Sequence, residues 1–218
     1  LPLISYGGTA MVTLSRYLNL DIMDWFGMPA VRITRRNVEI EQTTAKESTT
    51  RVWHTPAGDL REVIRVCQDD TGAVSSNWTE HMVKGPQDLA ALTAIYEDEV
   101  IELDPDGLAA TRERRALIGD DGILLGAMDG TPLSMMVRVY SGVATLAYLW
   151  ADAPEALRDC LQVMEHNYRQ RLAVGVQSQI DVVVSVDDTS TTAISPAMFE
   201  ACGLAVTDAR ADATHAAG

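Results

Sequence analysis

Three aspartates, Asp129, Asp187 and Asp188, each stand just after an apolar run. Gly122-Ile-Leu-Leu-Gly-Ala-Met128 leads into Asp129-Gly130-Thr131-Pro132, and Ile180-Asp-Val-Val-Val-Ser-Val186 leads into Asp187-Asp188-Thr189. Buried strands that deliver acids and hydroxyls at their C-terminal ends are how parallel α/β sheets build sites. Carboxylates gathered in one cleft resist joint ionisation, so they are expected to raise one another's pKa toward general acid or base work. Thr189 can donate a hydrogen bond to a substrate oxygen. Ser5-Tyr6, at the end of a third short run from Leu3, would share the same edge. Arg138, one turn into the helix after Asp129, can pair with Asp129 or a substrate carboxylate, against the plainer reading of an exposed helical arginine. His81 is either a substrate contact or a local hydrogen bond that fixes its loop, and the second is preferred. His54 and His166 read as structural or exposed.

The elements that must position these residues follow from local pattern. The β-branched run Ile180–Val186 suits a packed strand. Ser195-Pro196 then starts a helix, with Ser as N-cap and Pro at its first position. Asp104-Pro105 opens a helix over Asp106–Leu117 with Arg112, Arg114 and Arg115 mostly outward, and Gly85-Pro86 opens one carrying Leu89, Leu92, Ile95 and Tyr96. Asp152-Ala-Pro-Glu155 reads as a capping box. The helix behind it buries Leu157, Leu161, Met164, Tyr168, Leu172 and Val176, with Cys160 on the flank. Leu20–Gly27 is expected as a short helix with Trp25 and Phe26 in the core. Thr49–His54 and Asp59–Val66 flank Thr55-Pro-Ala-Gly58, whose Pro and Gly suit a type I turn, so an antiparallel hairpin is expected. Asp69–Gly72 reads as another turn.

Strand and helix alternate at lengths that argue for parallel βα units. The fold class expected is α/β, with three barrel-type strands at Leu3–Tyr6, Gly122–Met128 and Ile180–Val186. The chain reads as a single domain over 1–218, with a hairpin or rim region at 31–84 and βα units over 85–218. Both ends look cut, Leu1 inside a strand and Gly218 just past a helix.

Composition narrows the function classes. A net charge of −14 over 218 residues argues against nucleic acid as a partner, since phosphates need Lys and Arg clusters. No apolar run reaches 18 residues and no cationic leader precedes one, so no membrane span or secretion is expected. Three scattered cysteines, Cys67, Cys160 and Cys202, suit a reducing cytoplasm and small buried side chains rather than a disulfide framework. No Cys-x-x-Cys or His-x-x-x-His spacing occurs, so no metal ligands are assigned.

The order of several pieces resembles the uroporphyrinogen decarboxylase superfamily. These are Thr55-Pro-Ala-Gly58, Glu80-His-Met-Val-Lys84 before Pro86-Gln-Asp-Leu89, Gly119-Asp-Asp-Gly122 before a strand, Asp187-Asp-Thr189 with Ile194-Ser-Pro-Ala-Met-Phe199, and Asp208–Gly218. The resemblance implies a (β/α)8 barrel, of which this chain is similar to roughly the first half plus an N-terminal antiparallel hairpin region. The strand ends give Asp187, Asp188 and Asp129 as catalytic candidates, with Tyr6, Arg138, Thr189 and His81 at the substrate, and the resemblance sets Thr189 where the family places a small hydroxyl residue. In the haem-pathway decarboxylases an Arg-Gln-Ala-Gly-Arg-Tyr run binds substrate carboxylates. Here that place holds Ser5-Tyr-Gly-Gly-Thr-Ala10, and Arg138 stands where those enzymes place a tyrosine.

The corrinoid-dependent methyltransferase branch resembles the Thr-Pro-x-Gly and Glu-His-x-Val-Lys segments better. Methyl transfer between a corrinoid protein and a small acceptor is therefore the function expected. Cofactor-free decarboxylation of uroporphyrinogen or a related polycarboxylate is the alternative. A catalytically silent fragment or binding module is the third reading. Zinc is implied only through a His-x-Cys and later Cys of the superfamily's second half, beyond Gly218. An open barrel edge would also invite self-association.

Overall fold

The computed structural model describes residues 9–68 and 74–217. The expected strand Leu3–Tyr6, the turn Asp69–Gly72 and the candidate Tyr6 lie outside them. In chain order the elements are α1 (Thr9–Tyr17), β1 (Ile22–Trp25), β2 (Val31–Thr34), β3 (Glu39–Ala45), β4 (Ser48–Thr55), β5 (Gly58–Gln68), β6 (Val74–Glu80), α2 (Leu89–Glu97), β7 (Val100–Leu103), α3 (Pro105–Ile118), β8 (Gly122–Met128), α4 (Pro132–Met135), α5 (Gly142–Asp152), α6 (Pro154–Gly175), β9 (Val182–Ser185), α7 (Pro196–Cys202) and α8 (Leu204–Ala216). The architecture is mixed α/β with open sheets.

A parallel sheet in the order β1-β8-β9 carries the acids. Its central strand puts Leu125 opposite both Trp25 and Val182, and Met128 opposite Ser185. The two βα returns expected from the sequence are thus adjacent, with Asp129 and Asp187 at one edge. Leu20–Gly27 holds a strand rather than a helix. Four residues, Ile22 to Trp25, pair with Gly122–Leu125, and Ile22 and Asp24 point inward while Met23 and Trp25 point out. Trp25 is therefore 49% exposed rather than core. Burial of Asp24 also corrects the outward reading of Arg114, which pairs with it.

The antiparallel meander β3-β4-β5-β6 forms the rim. Its central hairpin pairs antiparallel as expected, with Thr49 opposite Ile64 and Thr55 opposite Gly58. β2 does not join it and pairs with β7 instead. Leu60, Glu62 and Ile64 form the inward row of β5, so a carboxylate occupies a position where alternation calls for an apolar side chain.

The largest core lies between α2, α6, α4 and the rim, around Leu92, Tyr96, Met136, Leu146, Met164 and Tyr168. A second core of Val12, Ile22, Ile118 and Leu124 fills the other face of β8. The stripe expected on α6 is buried as far as Leu172. Its capping box does not form, because α5 continues through Asp152 and leaves Ala153 at the N-cap with Pro154 behind it. Ser195 does cap α7, accepting from the Met198 N–H at 3.2 Å.

Candidate functional site

At the end of β9, Asp187 is held from both sides. One oxygen accepts from the Thr131 N–H at 2.6 Å and the Thr131 hydroxyl at 2.7 Å. The other accepts from the Ser185 hydroxyl at 2.6 Å. The carboxylate staples the end of β9 to the turn after β8. Gly130 makes that approach feasible, since a Cβ there would stand 2.5 Å from the Val186 carbonyl. Asp188 accepts from the Ser190 N–H at 3.0 Å. Hydrogen bonds from Ser190, with the Arg138 charge as a lesser cause, hold its carboxyl below the usual range. For Asp188 that is the opposite of the mutual raising expected of clustered acids. Arg138 donates to the Val186 carbonyl at 2.7 Å and is exposed, so it braces the strand end. Thr189 is exposed and makes no hydrogen bond among the described residues. His81 bonds the Val139 carbonyl at 2.8 Å, the local role preferred from the sequence.

Asp129, at the end of β8, is different. One oxygen accepts from Arg171 at 2.7 Å while the side chain stays 49% exposed. It lines a cavity of about 250 Å³ that lies beneath the rim. Arg35 comes from just past β2, Arg51 and Trp53 from β4, Glu62 from β5 and Trp78 from β6. Tyr96 comes from α2, Glu99 from the turn before β7, Tyr140 from the turn after α4 and Arg171 from α6.

Two buried glutamates organise these walls. Glu62, 2% exposed, accepts both indole N–H groups, from Trp53 at 3.3 Å and Trp78 at 2.8 Å. Arg51 stands 3.5 Å from it. This fixes both indole planes with one anion. Glu99, its side chain 1% exposed, bridges Arg35 and Arg171 and takes a further bond from Asn167 at 3.1 Å. Burial works against the charge of Arg171, but Glu99 more than offsets it.

Three phenols form the floor. Tyr96 hydrogen-bonds Tyr140 at 2.6 Å and Tyr168 at 2.9 Å. Burial pushes Tyr140 up to about 12 and Tyr96 and Tyr168 well above their ordinary value. All three stay protonated at neutral pH, so Tyr140 presents a hydroxyl and not a phenolate. Its placement depends on a π-helical turn over Met136–Tyr140, a geometry frequent at functional sites. Gly142 follows at a φ of +73°, where a Cβ would also stand 2.9 Å from His81 Nε2.

The structure thus brings Asp129, Asp187, Asp188 and Arg138 to one sheet edge, but only Asp129 lines the cavity. Sequence reasoning missed Arg35, Arg51, Glu62, Glu99, Tyr140 and Arg171. A signal existed for Glu62, which breaks the apolar row of its strand. Among the described residues no three His, Cys, Asp or Glu side chains converge as a metal site. Cys160 lies in the core, where burial pushes its thiol up to about 11, opposite to what a ligating thiolate requires. The described residues offer no ligand set for zinc. Among the described residues no helix is long and apolar enough to cross a membrane. Compared with protein-family models and with curated proteins, the chain matches none.

Proposed function

We propose that the cavity at the end of β8 is the substrate site of a methyl-transfer enzyme of the uroporphyrinogen decarboxylase type, in a partial (β/α)8 barrel, with a corrinoid protein as partner. The observation that carries this reading is Asp129. It is a half-exposed carboxylate at the C-terminal end of the central parallel strand, braced by Arg171 and opening into a cavity of about 250 Å³. Acids at that end of a parallel strand are where α/β folds do chemistry. The cavity suits a small acceptor and is too small for a tetrapyrrole. Its three arginines also face three carboxylates, which leaves no excess positive charge for a polycarboxylate. Both features favour methyl transfer over decarboxylation of uroporphyrinogen.

In this reading the acceptor's N–H or S–H gives its proton to Asp129 as its freed electron pair attacks the methyl carbon. A corrinoid, when bound, would supply the activated methyl group and would keep the electron pair of the bond that breaks. Arg171 keeps Asp129 oriented, and the aromatic walls exclude water. Free methylcobalamin offers a direct test. Loss of its methyl–cobalt absorbance with a small thiol or tertiary amine acceptor is expected, and Asp129→Asn should slow it about 100-fold or more. No turnover by the unaltered protein, or full turnover by Asp129→Asn, would sink the reading.

A further inference from the structure

We infer that the ligand of this cavity is a small zwitterion, an N-methylated amino acid whose ammonium lies toward Asp129 and whose carboxylate lies toward Arg51. The inference rests on the cavity being the substrate site, and it adds the substrate class.

The first ground is charge. Arg35, Arg51 and Arg171 line the cavity with Glu62, Glu99 and Asp129, three of each sign. A ligand with net charge would unbalance a low-dielectric space, whereas one carrying both signs does not. The second ground is which groups already have partners. Glu62 and Glu99 are each met by three donors. Asp129 is bonded through one oxygen only. Arg51 gives Nη1 to Glu62 and Nε to Gln42, at 2.8 Å for the latter. Among the described residues Asp129 Oδ1 and Arg51 Nη2 have no partner, and these two groups are of opposite sign. The Tyr140 hydroxyl adds a neutral donor for a carboxylate oxygen.

The third ground is the wall. Trp53, Trp78, Tyr96 and Tyr140 surround the space, and Glu62 pins both indoles by their N–H groups. Aromatic faces beside acids are the chemistry that recognises a methylated ammonium, which cannot satisfy several hydrogen-bond acceptors but is attracted to π-faces. Two such contacts are already made inside the protein, where the Arg35 guanidinium lies 5.4 Å from the Trp53 ring centroid and that of Arg171 5.7 Å from the Tyr96 centroid.

Calorimetric titration with glycine betaine tests this, alongside two close relatives of it. 3,3-Dimethylbutyrate keeps the carboxylate and the shape but replaces the ammonium by carbon. Choline keeps the ammonium and lacks the carboxylate. Betaine should bind roughly tenfold or more tightly than either. Arg51→Gln should weaken betaine and 3,3-dimethylbutyrate but not choline, and Asp129→Asn should weaken betaine and choline but not 3,3-dimethylbutyrate. The ligand series on the unaltered protein stands even if a variant does not fold. Equal binding of 3,3-dimethylbutyrate, equal binding of choline, or no binding of betaine overturns the zwitterion. If betaine fails while methylcobalamin is still turned over with another acceptor, this inference falls and the methyl-transfer reading stands. If betaine binds in the expected order and methylcobalamin is inert, the reverse holds.

Discussion

At the end of β8 stands Asp129, and at the end of β9, one strand over in the same parallel sheet, stands Asp187. Each follows a strand of that sheet, β8 buried in its middle and β9 half-exposed, and precedes a turn rich in small polar residues. Asp187 is closed in by three donors from Thr131 and Ser185. Asp129 meets one guanidinium, keeps one oxygen unbonded among the described residues, and opens on a cavity. Asp129 is the first residue after β8 and Asp187 the second after β9, and what separates structure from chemistry is the supply of donors around each. That supply is set by distant residues: Arg171 on α6 for the one and Thr131 across the sheet for the other.

The arginines at the two ends should differ most. Arg171 bridges Asp129 and Glu99 and lies against the faces of Tyr96 and Tyr168, with the Tyr168 centroid 4.8 Å away. Arg171→Met leaves Glu99 buried with half its cationic support, and breaking a buried pair in this way costs about 3–5 kcal/mol. Arg138→Met removes an exposed arginine that holds one carbonyl, and the loss should stay within about 1 kcal/mol. Urea unfolding of both variants measures the gap. Equal losses would mean the β8 end is no more deeply built than the β9 end.

A second contrast is alkaline. Tyr140 follows the β8 end and its folded value is raised from 10 to about 12, chiefly by burial. Folding therefore favours the protonated phenol. Its contribution is fully present below about pH 10 and is lost as pH rises toward 12, where the unfolded chain releases a proton that the folded one keeps. The two-unit gap corresponds to about 3 kcal/mol. Tyr96 and Tyr168 act in the same direction. Unfolding midpoints between pH 9 and 12 should fall steeply in the unaltered protein and less steeply in Tyr140→Phe. An unchanged slope in that variant would place the loss elsewhere.

Much of this scaffold is legible locally. The Pro and Gly of Thr55–Gly58 announce the hairpin, β-branched runs announce β8 and β9, and the Leu157–Leu172 stripe announces α6. β1 is not, because four residues with Asp24 among them carry too little periodicity to separate strand from helix, and Asp24 is buried only through Arg114 on another element. The sheet edge was readable for the same local reasons, and so were the acids on it. The cavity was not. Its walls come from β2, the rim, α2 and α6, and its pairs span long separations, 72 residues from Glu99 to Arg171. Sequence pattern shows which face of an element is buried. It does not show which buried faces meet. Glu62 is the exception, since a carboxylate between Leu60 and Ile64 on an inward row already demands buried donors.

The smallest effect tests the comparison most directly, because it exchanges one change between the two sites. Asp187→Ala removes the acceptor of the Thr131 N–H and hydroxyl, and Thr131 is itself buried. Its donors are left without partners in a place water does not reach, which costs about 2–3 kcal/mol. The loss should be partly recovered by Asp187→Asn, whose amide oxygen can still accept from Thr131. Asp129→Ala removes a half-exposed carboxylate whose partner Arg171 retains Glu99, so its cost should be under about 1 kcal/mol. Binding should invert that order. Betaine affinity should drop in Asp129→Ala and hold in Asp187→Ala at a temperature where that variant remains folded. Thermal unfolding and calorimetric titration on the same two proteins give four numbers. If the stability and binding losses rank the two aspartates in the same order, donor supply does not divide their roles, and the end of β9 must be reconsidered as part of the site.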